Sequence, residues 1–119
     1  MYAGTTIEIC ALEKFVHLAG VIAPPLVLVA IDVPDDAALV HVPAIEDLPA
    51  GWSDLPISAP AQEYGRSWIV AAAHLVLLVP SVVVPEARNA VINPQHPAYG
   101  QIELNVVREF TFDSRMSPV

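Results

Sequence analysis

The sequence predicts a single α+β domain with one central mixed sheet and helices packed on it. Three observations carry this. A chain of 119 residues has room for one core that buries about two-thirds of the unfolded surface, and for no second domain. Two segments show helical spacing of apolar residues, and several short β-branched runs lie between proline-rich breaks.

The first helix is expected over residues 6 to 19. Thr5 and Glu8 have the spacing of a capping box, and Ile7, Cys10, Ala11, Leu12, Phe15, Val16, Leu18 and Ala19 recur at helical intervals. Gly20 and Pro24-Pro25 end it. The largely apolar run from Leu26 to Val33 has the pattern of a strand covered on both faces, so it is placed at the centre of the sheet. Prolines at 34, 43, 49, 56 and 60 make the next stretch mostly irregular, with one short strand at Ala38 to Val42. A second helix is expected over Ala61 to Ala73. Strands at Leu75 to Val79 and Val82 to Val84 follow, separated by Pro80 and Ser81. The Asn93-Pro94 and His96-Pro97 steps mark turns, because each proline steers the residue before it away from helix. Two short strands, Ile102 to Val106 and Glu109 to Phe112, have the look of a hairpin.

Charge and composition narrow the function. With 5 Lys+Arg against 13 Asp+Glu, the net charge is -8, which opposes non-specific attraction to nucleic acid or anionic membranes. The runs Phe15 to Ile31 and Ser67 to Pro85 approach spanning length, but Pro24-Pro25 and Pro80-Ser81 interrupt them. No membrane span is expected. Glu8, Glu13 and Lys14 occupy the region that a signal peptide leaves uncharged. The single cysteine, Cys10, excludes an internal disulfide. A cytoplasmic setting is the expectation. His17, His41, His74 and His96 are scattered, so no metal is expected. The five glycines form neither a dinucleotide fingerprint nor a phosphate loop.

Glu13 would share its helix face with Ile9, Cys10, Val16 and His17. A carboxylate there either pairs at the rim or faces a cleft, and spacing does not separate the two. Ser81 interrupts an apolar strand, where a hydroxyl commonly satisfies local backbone; no nucleophile elbow surrounds it. Arg88, Asn89, Asn93 and His96 read chiefly as structural residues around turns.

The stretch from Val79-Pro80-Ser81 through Pro85-Glu86-Ala87-Arg88-Asn89 to Asn93-Pro94-Gln95-His96-Pro97 resembles the C-terminal signature of the RES domain, a family of bacterial toxins named for an arginine, a glutamate and a serine. Leu12-Glu13 with His17, Ile31-Asp32-Val33-Pro34-Asp35-Asp36, Leu48-Pro49-Ala50-Gly51-Trp52, Gly65-Arg66-Ser67-Trp68-Ile69 and Phe110-Thr111-Phe112-Asp113-Ser114-Arg115 fit the same family in order. The resemblance covers essentially the whole chain, but the family's opening Gly-Gly-Arg-Trp-Asn-like segment has no counterpart here, and with it the name-giving arginine. It implies a fold similar to the ADP-ribosyltransferases without the N-terminal strands. It also implies an NAD-consuming toxin of a toxin–antitoxin pair, cleaving the nicotinamide–ribose bond by hydrolysis or phosphorolysis. Glu13 then takes the place of the family glutamate as catalytic residue, Ser81 that of the serine as an NAD-binding hydroxyl, and Tyr2 an aromatic position able to stack on nicotinamide. Glu13 and Ser81 should accordingly meet in one cleft. NAD is implied as substrate without a metal, and a helix-turn-helix antitoxin as partner, with a homo-oligomer as a further expectation. The missing arginine leaves a second reading open: a non-catalytic remnant that keeps the fold and acts only as an antitoxin-binding or structural module. Weak NAD cleavage is the matching expectation.

Overall fold

A computed structural model describes residues 1–116. Its elements run β1 (Tyr2–Gly4), α1 (Ile7–Leu18), β2 (Leu26–Asp32), β3 (Val40–His41), α2 (Ala59–Ala71), β4 (Val76–Pro80), β5 (Arg88–Ile92) and β6 (Glu103–Phe110), with short 3-10 turns between several of them. The expected α+β class holds. A four-stranded mixed sheet has the order β1-β5-β4-β3, and β2 pairs with β6 in a separate two-stranded sheet.

Helix α1 starts one residue later than the capping-box spacing implied. Thr6 is the N-cap, its hydroxyl accepting from the Ile9 amide, while the Thr5 hydroxyl donates to the Arg88 carbonyl at 3.0 Å and ties the helix start to β5. Helix α2 begins at Ala59, capped by Ser58, with Pro60 in its first turn where a missing N–H costs nothing.

Four expectations need correction. The run at Leu26 is not the central strand: β2 pairs only with β6, and Val27 and Val29 are 55% and 40% exposed. A continuous apolar run is compatible with full burial but does not enforce it. Residues 82–84 form a turn, because the Ser81 hydroxyl captures the Val83 and Val84 amides that a strand would need. The expected hairpin near the C-terminus is one strand, β6. Its register slips opposite Leu28 and Val29, leaving Val107 without a cross-strand partner, so a bulge absorbs the break in alternation. Two strands, β1 and β5, were not foreseen; Tyr2, at the extreme N-terminus, is paired with Val91.

The ladder registers assign the faces of the mixed sheet. Val76, Leu78, Ala90 and Ile92 project to one side, where they join Leu75, Ala98, Ile31, Val33 and Ile102 in the core against the second sheet. Tyr2, Gly4, Asn89, Val91, Leu77 and Val79 project to the other. Helix α1 lies against this side. A Cβ on Gly4 would stand 2.7 Å from both Cys10 Sγ and Ile9 Cγ2, so only glycine admits the helix this closely. Asn93, fully buried, donates to the Ile69 carbonyl at 3.0 Å and fastens the end of α2 to the end of β5. No helix among the described residues is long and apolar enough to cross a membrane.

Candidate active site

A cleft of about 750 Å³ opens over the Tyr2 side of the mixed sheet. Its floor is Leu77, Val79 and Val91; α1 supplies Glu13, Val16 and His17; α2 supplies Ala61, Tyr64 and Gly65; the proline-rich segment supplies Trp52 and residues 54–58. The volume lies in the range of small-molecule sites, and the lining is mainly apolar with few polar groups, as such sites require. Glu13, Val16 and His17 are three and four positions apart, so one turn of α1 presents all of them.

The polar centre is built around one carboxylate oxygen. Ser81 Oγ donates to Glu13 Oε1 at 2.7 Å across 68 positions, and Asn89 Nδ2 donates to the same oxygen at 2.7 Å. The second N–H of that amide goes to the Tyr2 hydroxyl oxygen at 2.8 Å. Glu13 Oε2 has no hydrogen-bond partner among the described residues. Two short bonds to an acidic acceptor hold the carboxylate firmly, since charge-assisted hydrogen bonds are about twice as strong as neutral ones.

Glu13 and Ser81 thus meet, but they face different surroundings. Glu13 is half-buried and lines the cleft; Ser81 has no exposed surface. Its hydroxyl donates to Glu13 and accepts from the Val83 and Val84 amides, both at 3.1 Å, which uses its one donor and two acceptor positions. The expected ligand-binding hydroxyl therefore has nothing left to offer a ligand: it braces Glu13 and closes the 81–87 turn. We expect Ser81→Ala to cost about 1–3 kcal/mol of folding stability, because two backbone amides lose their acceptor, besides loosening Glu13. Denaturant unfolding measures the first effect; an unchanged midpoint would contradict it.

Tyr2 lies at the cleft wall, 60% exposed. Partial burial, then the neighbouring Glu13 charge, push its phenol above the ordinary value, against a smaller lowering by the Asn89 hydrogen bond. The hydroxyl keeps its proton through neutral pH, and since its oxygen already accepts from Asn89, that proton is free to be donated. The folded state holds this proton more tightly than the unfolded chain does. Its contribution to stability is therefore complete below about pH 10 and is lost as pH rises through the raised value. Glu13→Gln should move the Tyr2 titration downward by removing the charge, as followed by NMR of carbon-labelled tyrosine; no movement would break the link between the two groups.

Asn89 is the residue that sequence reasoning missed. Read as part of a turn-rich motif, it is 1% exposed in the middle of the site. Two polar residues opening a five-residue strand gave no β signal. Its motif neighbours do serve turns: His96 caps a 3-10 turn by accepting from the Ala98 amide, and Asn93 Oδ1 accepts from Gln95.

Among the described residues, no lysine or arginine lines the cleft. Arg66 and Glu63 pair on the exposed side of α2, Arg115 pairs with Asp113, and Arg108 lies over Phe110. Arg88 belongs to the opposite face of the sheet, by its register with Pro80. No group of three or more His, Cys, Asp or Glu side chains is placed to hold a metal ion among the described residues.

The chain is a member of the RES domain family, which it matches over residues 1–113. It is 37% identical over 118 residues to a protein named Prs ADP-ribosylating toxin from Sphingobium, covering 98% of this chain and 73% of that protein. It is 31% identical over 121 residues to a Toxin Res from Pseudomonas putida, covering 98% and 78%. A Toxin Res from Yersinia enterocolitica is 29% identical over 119 residues, with 98% and 76% covered.

Proposed function

We propose that this protein is an NAD-consuming toxin that breaks the bond between nicotinamide and ribose, and that a helix-turn-helix antitoxin holds it in check in the cytoplasm. The observation that carries the reading is the asymmetric carboxylate: Glu13 has one oxygen clamped by Ser81 and Asn89 and the other, at the cleft wall, without a partner among the described residues. The toxin names of the relatives support the biological role, and the ADP-ribosylating relative supports NAD as the substrate.

Cleavage of that bond passes through an oxocarbenium-like transition state with positive charge on the ribose. A fixed carboxylate oxygen beside it stabilises the developing charge with no reorganisation. In this reading Glu13 Oε2 takes that role and accepts from a ribose hydroxyl as the charge develops, while Tyr2 and Trp52 supply aromatic surface for the flat rings. Water as acceptor gives hydrolysis, phosphate gives phosphorolysis, and a protein side chain gives ADP-ribosyl transfer; all three share this bond cleavage.

The fit to NAD is uneven. The nicotinamide–ribose half finds an acid, a hydroxyl donor and aromatic rings. The pyrophosphate finds no guanidinium or ammonium group, the natural partner for its paired oxygens. This favours weak NAD binding by residues 1–116, and it is the specific observation behind the second reading, a non-catalytic RES module that retains only a partner-binding role. Expression in bacteria separates the two. The catalytic reading predicts a falling NAD pool and arrested growth, reversed by Glu13→Gln; a steady NAD pool in growing cells that contain the folded protein would favour the module.

A further inference from the structure

We propose that Asn89 is a positioning residue which locks Glu13 and Tyr2 into one unit, so that Glu13 Oε2 and the Tyr2 hydroxyl proton act together on the same bound group. This rests on the catalytic reading above and adds a residue to it.

Asn89 is 1% exposed in an interior strand, between β1 and β4, yet its Oδ1 has no hydrogen-bond partner among the described residues. An unpaired buried acceptor costs about 1–3 kcal/mol, and asparagine is a poor strand residue. Stability alone therefore does not account for it. The same amide's nitrogen spends both its protons inside the site, at 2.7 Å on Glu13 Oε1 and 2.8 Å on Tyr2 Oη. Turning the amide over would place Oδ1 against the Glu13 carboxylate, oxygen to oxygen, so the acid itself dictates the orientation that leaves Oδ1 unpaired.

Two consequences follow for the atoms that face the ligand. Oε1 already receives two donors, which leaves Oε2 as the oxygen available to substrate. Tyr2 Oη receives an N–H from behind, which leaves its own proton to point forward. Neither Ser81 nor the backbone reaches both groups; Asn89 alone bridges them, from a strand that pairs with β1 at Gly4 and with β4 at Val79. Its backbone is thus held on both sides, giving the bridge a rigid base.

The test uses Asn89→Asp, close in shape but without the N–H donors, beside Asn89→Ala. In the ligand-free proteins, the Tyr2 phenol followed by NMR should titrate higher than in the parent for both variants, since the hydrogen bond that lowers it is gone. Asn89→Ala decides this point, because the new carboxylate of Asn89→Asp raises the phenol by its charge alone; a residue that merely fills space would leave the titration of Asn89→Ala where it is. In nicotinamide release, kcat should fall roughly tenfold or more, the scale of one lost hydrogen bond to a charged group, with KM changed much less. Acidification should restore part of the activity of Asn89→Asp, because the introduced carboxyl when protonated can again donate to Oε1, and should restore none to Asn89→Ala. An unmoved Tyr2 titration in Asn89→Ala, or a kcat retained by both variants, would overturn the proposal. If the parent protein releases no nicotinamide, the catalytic reading fails, and the Tyr2 titration still decides whether Asn89 couples the two groups.

Discussion

Glu13→Gln is expected to lower turnover by about a hundredfold or more while leaving NAD affinity nearly unchanged. The geometry makes this substitution unusually clean. The glutamine carbonyl can stand where Oε1 stands and still accept from Ser81 and Asn89, both at 2.7 Å in the parent. The amide nitrogen then falls at the Oε2 position, a neutral donor in place of an anionic acceptor. Packing is kept and charge is lost, only at the atom that faces the ligand. An interaction made in the transition state and not in the ground state affects kcat and kcat/KM alike, and removal of one such electrostatic group costs about 10²–10³ in rate. Steady-state kinetics with a separate binding measurement checks the division; a loss confined to KM would assign Glu13 to ground-state binding instead.

Gly4→Ala should be the most damaging small substitution outside the site itself. The added methyl would lie 2.7 Å from Cys10 Sγ and Ile9 Cγ2 and 3.1 Å from the Cys10 amide nitrogen. Side chains can yield a little, but the backbone nitrogen belongs to α1, so the helix must move off the sheet. Overpacking of this kind costs about 1–3 kcal/mol. Glu13 sits one turn further along the same helix from Ile9, while Ser81 and Asn89 stay with the sheet. A shift of a few tenths of an ångström lengthens both bonds to Oε1. Lower stability in denaturant together with a fall in turnover larger than any change in KM is the expected result. Full activity in a destabilised protein would show that the helix tolerates the displacement without moving Glu13.

The parts of this site that a reader of the sequence can find are those with a local signature. Helix α1 declares itself through apolar spacing and a nearby cap, and the RES-like blocks pointed to Glu13 and Ser81 although 68 positions separate them. What stayed hidden depends on contacts across the chain. Tyr2 is ordered because three residues of β1 lie on β5, a pairing at a separation no local pattern encodes. Asn89 looks like turn punctuation because the partners of its amide nitrogen, Tyr2 and Glu13, lie far away in sequence. The ligand-binding role of Ser81 is implied only by the resemblance; from its residues alone the hydroxyl is expected to satisfy local backbone, and it does so through the Val83 and Val84 amides, which is what prevents a strand over 82–84. The apolar run at β2 suggested a central position, but burial on both faces is a property of what packs on a strand, not of its residues alone.

The most direct test of the account is to incubate the purified protein with NAD and follow free nicotinamide by NMR, beside the Glu13→Gln variant at matched concentration and confirmed fold. The expected result is steady nicotinamide release by the parent, slow because no lysine or arginine among the described residues lines the cleft to hold the pyrophosphate, and release reduced about a hundredfold or more by the substitution. No release by the parent, or equal release by the two proteins, would contradict it.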